Sequence, residues 1–293
     1  MTIAGERLDA RAIGLAVLAM AILGGSYTAG KIALHDLPVF GMLLLRMVVT
    51  VGTLGAYASL SRAPLACSGR VAWIIGAQTV FFLVSQIALF IGLTMTSAGR
   101  AAILFNMQPF FTLMLLPLLV PAERLTLRRW LGTGVAFLGV ALVLGERGVT
   151  GGALLGDALC LLAALGWTGN VILNKTMPQE ANSVAMIFWN CAAAVPVFGI
   201  LTLMLEPPQA WTLSAAALGS VLYLGVVAAG LGFVLIVWLT RTYSASRVNV
   251  FVFLSPVFGV LIGWAALGET VSALQALGAA AVAAGILVVT AER

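Results

Sequence analysis

Long uncharged runs organise this chain. No charge falls between Arg11 and Lys31, Arg70 and Arg100, Arg100 and Glu123, Arg129 and Glu146, or Asp157 and Lys175. The same holds from Glu180 to Glu206, Glu206 to Arg241, Arg247 to Glu269 and Glu269 to Glu292. A tenth run, Asp36 to Arg62, is broken by Arg46 alone. A helix needs roughly 20 apolar residues to cross the hydrocarbon core of a bilayer. The pattern therefore predicts ten transmembrane helices, near residues 12–33, 38–60, 71–94, 99–120, 129–145, 154–175, 182–205, 212–240, 246–267 and 271–290. The runs lack the polar/apolar alternation of barrel strands and are too uniformly apolar for them, so helices fit better.

Composition agrees. Of 293 residues, 62% are hydrophobic and 9% charged, against about a quarter charged in a soluble domain. The expected class is an all-α integral membrane protein. The N-terminus carries Glu6 and Asp9 as well as arginines, and the first run shows no clear cleavage site, so it reads as an uncleaved span. With that terminus inside, cytoplasmic ends and loops collect Arg7, Arg11, Arg62, Arg70, Arg124, Arg128, Arg129, Lys175, Arg241, Arg247 and Arg293. This positive-inside bias places both termini in the cytoplasm. It also explains the net charge of +5 without a nucleic-acid partner. Cys67, Cys160 and Cys191 show no ligand spacing. No metal or cofactor is expected. The expected partners are a small-molecule substrate and membrane lipid, with the chain acting as a monomer.

The chain repeats itself. "TSAGRAAILFNMQP" (96–109) and "YSASRVNVFVFLSP" (243–256) both read Ser-Ala-x-Arg, and each places a proline nine positions after its arginine. Glu123 then matches Glu269, Gly132 matches Gly278, and Gly139 matches Gly285. More weakly, "LGGSYTAGK" (23–31) lies over "WTGNVILNK" (167–175), and at the same offset Arg46 falls on Asn190. The expected organisation is two five-helix repeats, 1–147 and 148–293, forming one transport unit. Five is odd, so the second repeat enters the membrane from the opposite side. Such an inverted pair is the physical basis of alternating access.

These matched segments, extended through "FFTLMLLPLLVPAERLTLRRWLGTGVAFLGVALVL" and "VFGVLIGWAALGETVSALQALGAAAVAAGILVV", resemble the drug/metabolite transporter superfamily, in its EamA-like ten-helix branch. The lysine ending span one and Trp167 in span six fit as well. Leu23 where the second repeat has Trp167, and Pro121-Ala122-Glu123 where it has Leu267-Gly268-Glu269, depart from the pattern. Within the branch, overall similarity leans towards YddG-type exporters of aromatic and other amino acids and cationic xenobiotics. The resemblance implies a secondary transporter of small metabolites in the cell inner membrane.

Candidate lining residues follow from helical spacing. Gln78, Phe82, Ser85 and Gln86 share one face of span three. The repeat sets Gly225, Ala229, Gly232 and Phe233 opposite them, room facing amides. Trp167, Asn170 and Asn174 share a face of span six. Ser26 and Tyr27, Asn106, Trp189 and Asn190, and Asn249 and Phe253 complete the set. Aromatic faces and amides suit an aromatic or amphipathic solute. The alternative for the amides and glycines is helix–helix bonding and close packing, and for Trp189 contact with lipid. Trp73, Trp130 and Trp211 sit at span ends as interfacial anchors. Pro109 and Pro256 are the expected hinges, since paired interruptions in two repeats point to moving helices.

Arg46, about a third of the way along span two, has two readings. It holds a substrate carboxylate, or it snorkels or caps carbonyls, which its short distance from the outer end favours. No carboxylate sits at mid-membrane depth, which favours facilitated export over proton antiport. His35 lies in the first outer loop. A membrane enzyme would need a nucleophile, metal set or acid/base set, and HExxH, GxSxG and clustered carboxylates are all missing. A channel is the other rival, against which the inverted repeat and paired prolines argue.

Overall fold

Apolar side chains face outward and polar ones line the seams. Leu60 and Leu203 are each 87% exposed, whereas Gln78, Ser85 and Asp157 are fully buried. Large apolar residues face outward all along the helices, the arrangement hydrocarbon tolerates and water does not. The computed structural model describes residues 10–67, 69–119, 127–145, 151–175, 183–207, 210–243, 248 and 250–290, and every regular element among them is helical.

The helices are α1 (Ala10–Asp36), α2 (Val39–Ser61), α3 (Gly69–Met95), α4 (Ala98–Phe105), α5 (Gln108–Leu119), α6 (Leu127–Leu144), α7 (Gly151–Lys175), α8 (Ser183–Leu205), α9 (Ala215–Leu222), α10 (Phe233–Thr242), α11 (Leu254–Leu267) and α12 (Ala273–Thr290). A π-helical stretch, Tyr223–Gly232, joins α9 to α10, and a 3₁₀ turn, Val250–Phe253, leads into α11. Among the described residues, six helical stretches are long and apolar enough to cross a membrane. They are Ala10–Asp36, Val39–Ser61, Gly69–Met95, Gly152–Asn174, Val184–Leu205 and Ala215–Ile236. Trp130–Leu144, Leu254–Leu267 and Ala273–Gly285 are apolar and shorter. The chain is a multi-pass membrane protein.

The spans bearing the paired prolines are interrupted, not simply kinked. The expected span 99–120 is two helices, with Pro109 the second residue of α5. There the missing proline N–H falls in a first turn, where no intrahelical partner is needed. At the junction the spacing tightens: Met107 N–H donates to the Leu104 carbonyl at 3.1 Å, and Phe110 N–H to the Met107 carbonyl at 3.0 Å. Pro256 holds the corresponding place, third in α11 and just beyond the 3₁₀ turn.

Packing is reciprocal across the repeat. The closest pairs are α6 with α12, α3 with α7, α1 with α11 and α2 with α8. The α3–α7 contact has its image in α1 against α9, the π stretch and α10, and α4 and α5 on α7 in α11 and the 3₁₀ turn on α1. A Cβ at Gly139 would lie 2.7 Å from the Gly278 carbonyl oxygen, and one at Gly285 2.6 Å from that of Gly132. Because Gly132 matches Gly278 and Gly139 matches Gly285, each contact maps onto the other. It also makes α6 and α12 antiparallel. Only glycine permits so close a backbone approach.

Candidate functional site

The end of the bundle carrying the α1–α2 and α3–α4 turns is tied by polar side chains. Gly268, at φ +64°, ends α11 in the left-handed conformation that glycine adopts without strain. The turn delivers Glu269 to the start of α4, where its carboxylate accepts from Ala98 N–H at 2.8 Å and Gly99 N–H at 3.1 Å. These are orphan donors of a helix N-terminus, which favours negative charge. Glu269 also lies 3.8 Å from Lys31 Nζ, which donates to the Thr96 carbonyl. Glu206, just past α8, caps α2 in the same way, accepting from Phe40 and Gly41 N–H, both at 2.7 Å. The anchor expected at Trp211 packs over Gly41. Asp36 accepts from the Ser214 hydroxyl.

Within this end lies a buried ion pair. Arg100 of α4 meets Asp157 of α7: Nε donates to Oδ1 at 3.3 Å, and a second guanidinium nitrogen bonds Oδ2. Thr96 adds a bond to the same carboxylate at 2.6 Å. Topology gives no reason for an arginine at position 100, and Asp157 supplies one.

Between the helices sits a cavity of about 340 Å³. Four rings from four helices form one wall: Tyr27 lies 6.2 Å from Phe105, Phe105 6.1 Å from Trp167, and Trp167 6.3 Å from Phe82. The first two contacts are edge-on and the third tilted, the offset geometries aromatic pairs prefer. Ser26, Thr50, Gln86, Asn106 and Gln108 bring polar groups to the lining, and Ala228, Ala229 and Phe233 also line it. The one charged lining residue among those described is Arg46.

Of the expected lining residues, Ser26, Tyr27, Phe82, Gln86, Asn106 and Trp167 converge on this cavity. Others lie in helix–helix seams. Gln78 Nε2 donates to the Asn170 carbonyl and Asn170 Nδ2 to the Gln78 carbonyl, each at 3.2 Å. Ser85 donates to the Ala163 carbonyl at 2.9 Å, and Asn190 accepts from Thr79 at 2.9 Å. Trp189 is 43% exposed, its indole N–H donating to the Leu65 carbonyl at 2.8 Å, and Asn174 is exposed. Asn249 lies outside the described residues, as do Glu123 and Arg247, and Phe253 is placed by its backbone only. Glycines of the π stretch meet neighbouring helices: a Cβ at Gly225 would touch Val49 at 2.5 Å.

The cavity also holds groups the helical-face reading passed over. Arg46 lies with its guanidinium 5.1 Å from the centre of the Phe90 ring, and its Nε is buried without a hydrogen-bond partner. Gln108 Oε1 is likewise buried and unpartnered. Both had a sequence signal. Arg46 is the lone charge in its apolar run, and Gln108 immediately precedes the repeated proline.

Comparison with known proteins shows the family. The model of the EamA-like transporter family matches the chain twice, over residues 10–145 and 154–291. Proteins called probable amino-acid metabolite efflux pumps, from Salmonella typhimurium and Escherichia coli, are 29% and 28% identical, the alignments covering 94% of this chain and 93% of each of those proteins. The uncharacterized transporter YoaV of Bacillus subtilis is 22% identical over 92% of this chain and 93% of its own. One crystal structure, 18% identical, matches 96% of this chain and 98% of its own with a TM-score of 0.69, a likeness of fold.

Proposed function

Because the chain belongs to the EamA-like transporter family, and is a transporter and not an enzyme, we propose that it exports amino acids, the aromatic and apolar ones foremost. It works from the cell inner membrane with both termini in the cytoplasm, as ten spans in two inverted five-helix repeats, 1–147 and 148–293. Alternating access follows from exchanging the conformations of the repeats. The observation that carries the substrate reading is the cavity, whose four-ring wall faces amides and hydroxyls at a volume suited to a small solute. The names of the Salmonella and Escherichia relatives support the same direction. Among the described residues the lining holds no carboxylate or imidazole. A proton antiporter needs a group that exchanges its proton there, so transport is driven by the substrate's own gradient.

Purified protein in liposomes loaded with labelled phenylalanine or leucine tests this. Efflux should saturate, show counterflow and keep its rate when a pH gradient is imposed. Non-saturating conductance would make the protein a channel. A rate that tracks the pH gradient would make it a proton antiporter.

A further inference from the structure

An unpaired cation in an apolar cavity is an anomaly. A buried arginine is ordinarily matched by a carboxylate or by carbonyls, because leaving it unpaired costs stability. Arg46 is the eighth residue of α2, about 10 Å along the helix from its start. Among the described residues its guanidinium has no ion pair and no hydrogen bond, and its sole polar compensation is the face of Phe90. A structural arginine at this depth would snorkel to the interface or cap a helix end, and Arg46 does neither. It borders the empty space instead.

We propose that Arg46 is the carboxylate anchor of the transported solute, which makes the cavity selective for molecules with an apolar or aromatic body and one anionic head. This rests on the export reading above and narrows it. The guanidinium offers planar, paired donors that match a carboxylate. The four-ring wall takes the body. Gln108 Oε1, the other unpartnered atom in the lining, accepts from an N–H on the solute, as the ammonium of an amino acid would supply. The same charge repels cations across a low-dielectric space, so cationic xenobiotics are excluded from this site.

The test pairs binding with flux. Trp167 lines the cavity, so its fluorescence in detergent-purified protein reports occupancy. Phenylalanine, N-acetylphenylalanine and phenylalaninamide share one ring, and only the amide lacks the carboxylate. The wild type should bind both acids at least tenfold more tightly than the amide. Arg46→Gln should abolish that preference, and Arg46→Lys should retain part of it. Removing an arginine that, among the described residues, meets only the Phe90 ring should leave the ligand-free melting temperature unchanged or raised, whereas removing a structural one lowers it. Equal wild-type binding of acid and amide overturns the anchor without any variant, and so does an acid preference that survives in Arg46→Gln. Flux separates the two readings. Acid-selective binding without export of amino acids leaves the anchor standing and removes the export reading. Export without carboxylate selectivity does the reverse.

Discussion

Trp167 and Asn170 stand one turn apart on α7, yet they face different tasks. Trp167 meets the cavity and two aromatic neighbours. Trp167→Ala should weaken binding of aromatic solutes by about tenfold, the scale of one aromatic contact with its buried area, while the protein still purifies as a single species. Asn170 closes a reciprocal pair with Gln78 across α3 and α7. Gln78→Ala should cost about 1–3 kcal/mol of stability and leave the KM of the purified transporter within twofold. A large KM change would return Gln78 to the substrate path. The buried ion pair gives a sharper case. Asp157→Ala takes away the carboxylate of this buried guanidinium and should cost about 3–5 kcal/mol, seen as a collapse in melting temperature. Replacing both partners, Arg100→Leu with Asp157→Leu, should recover much of it. Helical spacing identified a face rich in amides, but it cannot say whether that face meets a neighbour or a void. That distinction depends on which helices touch, and no single span encodes it.

At the scale of elements, the repeat was legible because its leading markers, an arginine, a proline and a glutamate, are scarce residue types at nearly fixed intervals. The interruptions at Pro109 and Pro256 could be located that way. Their form could not, since a proline's effect depends on the hydrogen bonds its neighbours find. The π stretch at Tyr223–Gly232 was invisible for a related reason: a continuously apolar run looks alike however it is wound. Pro109→Ala restores a donor at the α4–α5 junction and lets the two helices fuse. If the break is a hinge, turnover should fall several-fold with KM unchanged and melting temperature held or raised, and Pro256→Ala should behave alike. Unaltered turnover in both variants would remove the hinge role.

At the scale of the whole molecule, four charged side chains among the described residues tie one end together. Lys31, Glu269, Glu206 and Asp36 each bind a backbone group or side chain from a distant part of the chain. Opening the cavity at that end requires releasing them. Glu206→Gln with Glu269→Gln should weaken the latch and shift the population towards that opening. Cys191, a free thiol in the lining, reports it: with Cys67 and Cys160 changed to serine, a membrane-impermeant maleimide added from that side should label Cys191 faster in the double variant. Equal labelling rates would mean the carboxylates do not hold the end closed.

The Arg100–Asp157 pair also sets a condition on biosynthesis. Its members are 57 residues apart and belong to different repeats. At about 5–20 residues per second, the ribosome delivers the aspartate roughly 3–11 s after the arginine. During that interval the half-made protein carries the arginine's charge into the insertion machinery without its aspartate. A nascent chain stalled before Asp157 should therefore stay with the translocon or fall to quality control, and the first repeat, residues 1–147, expressed alone should be an unstable fragment.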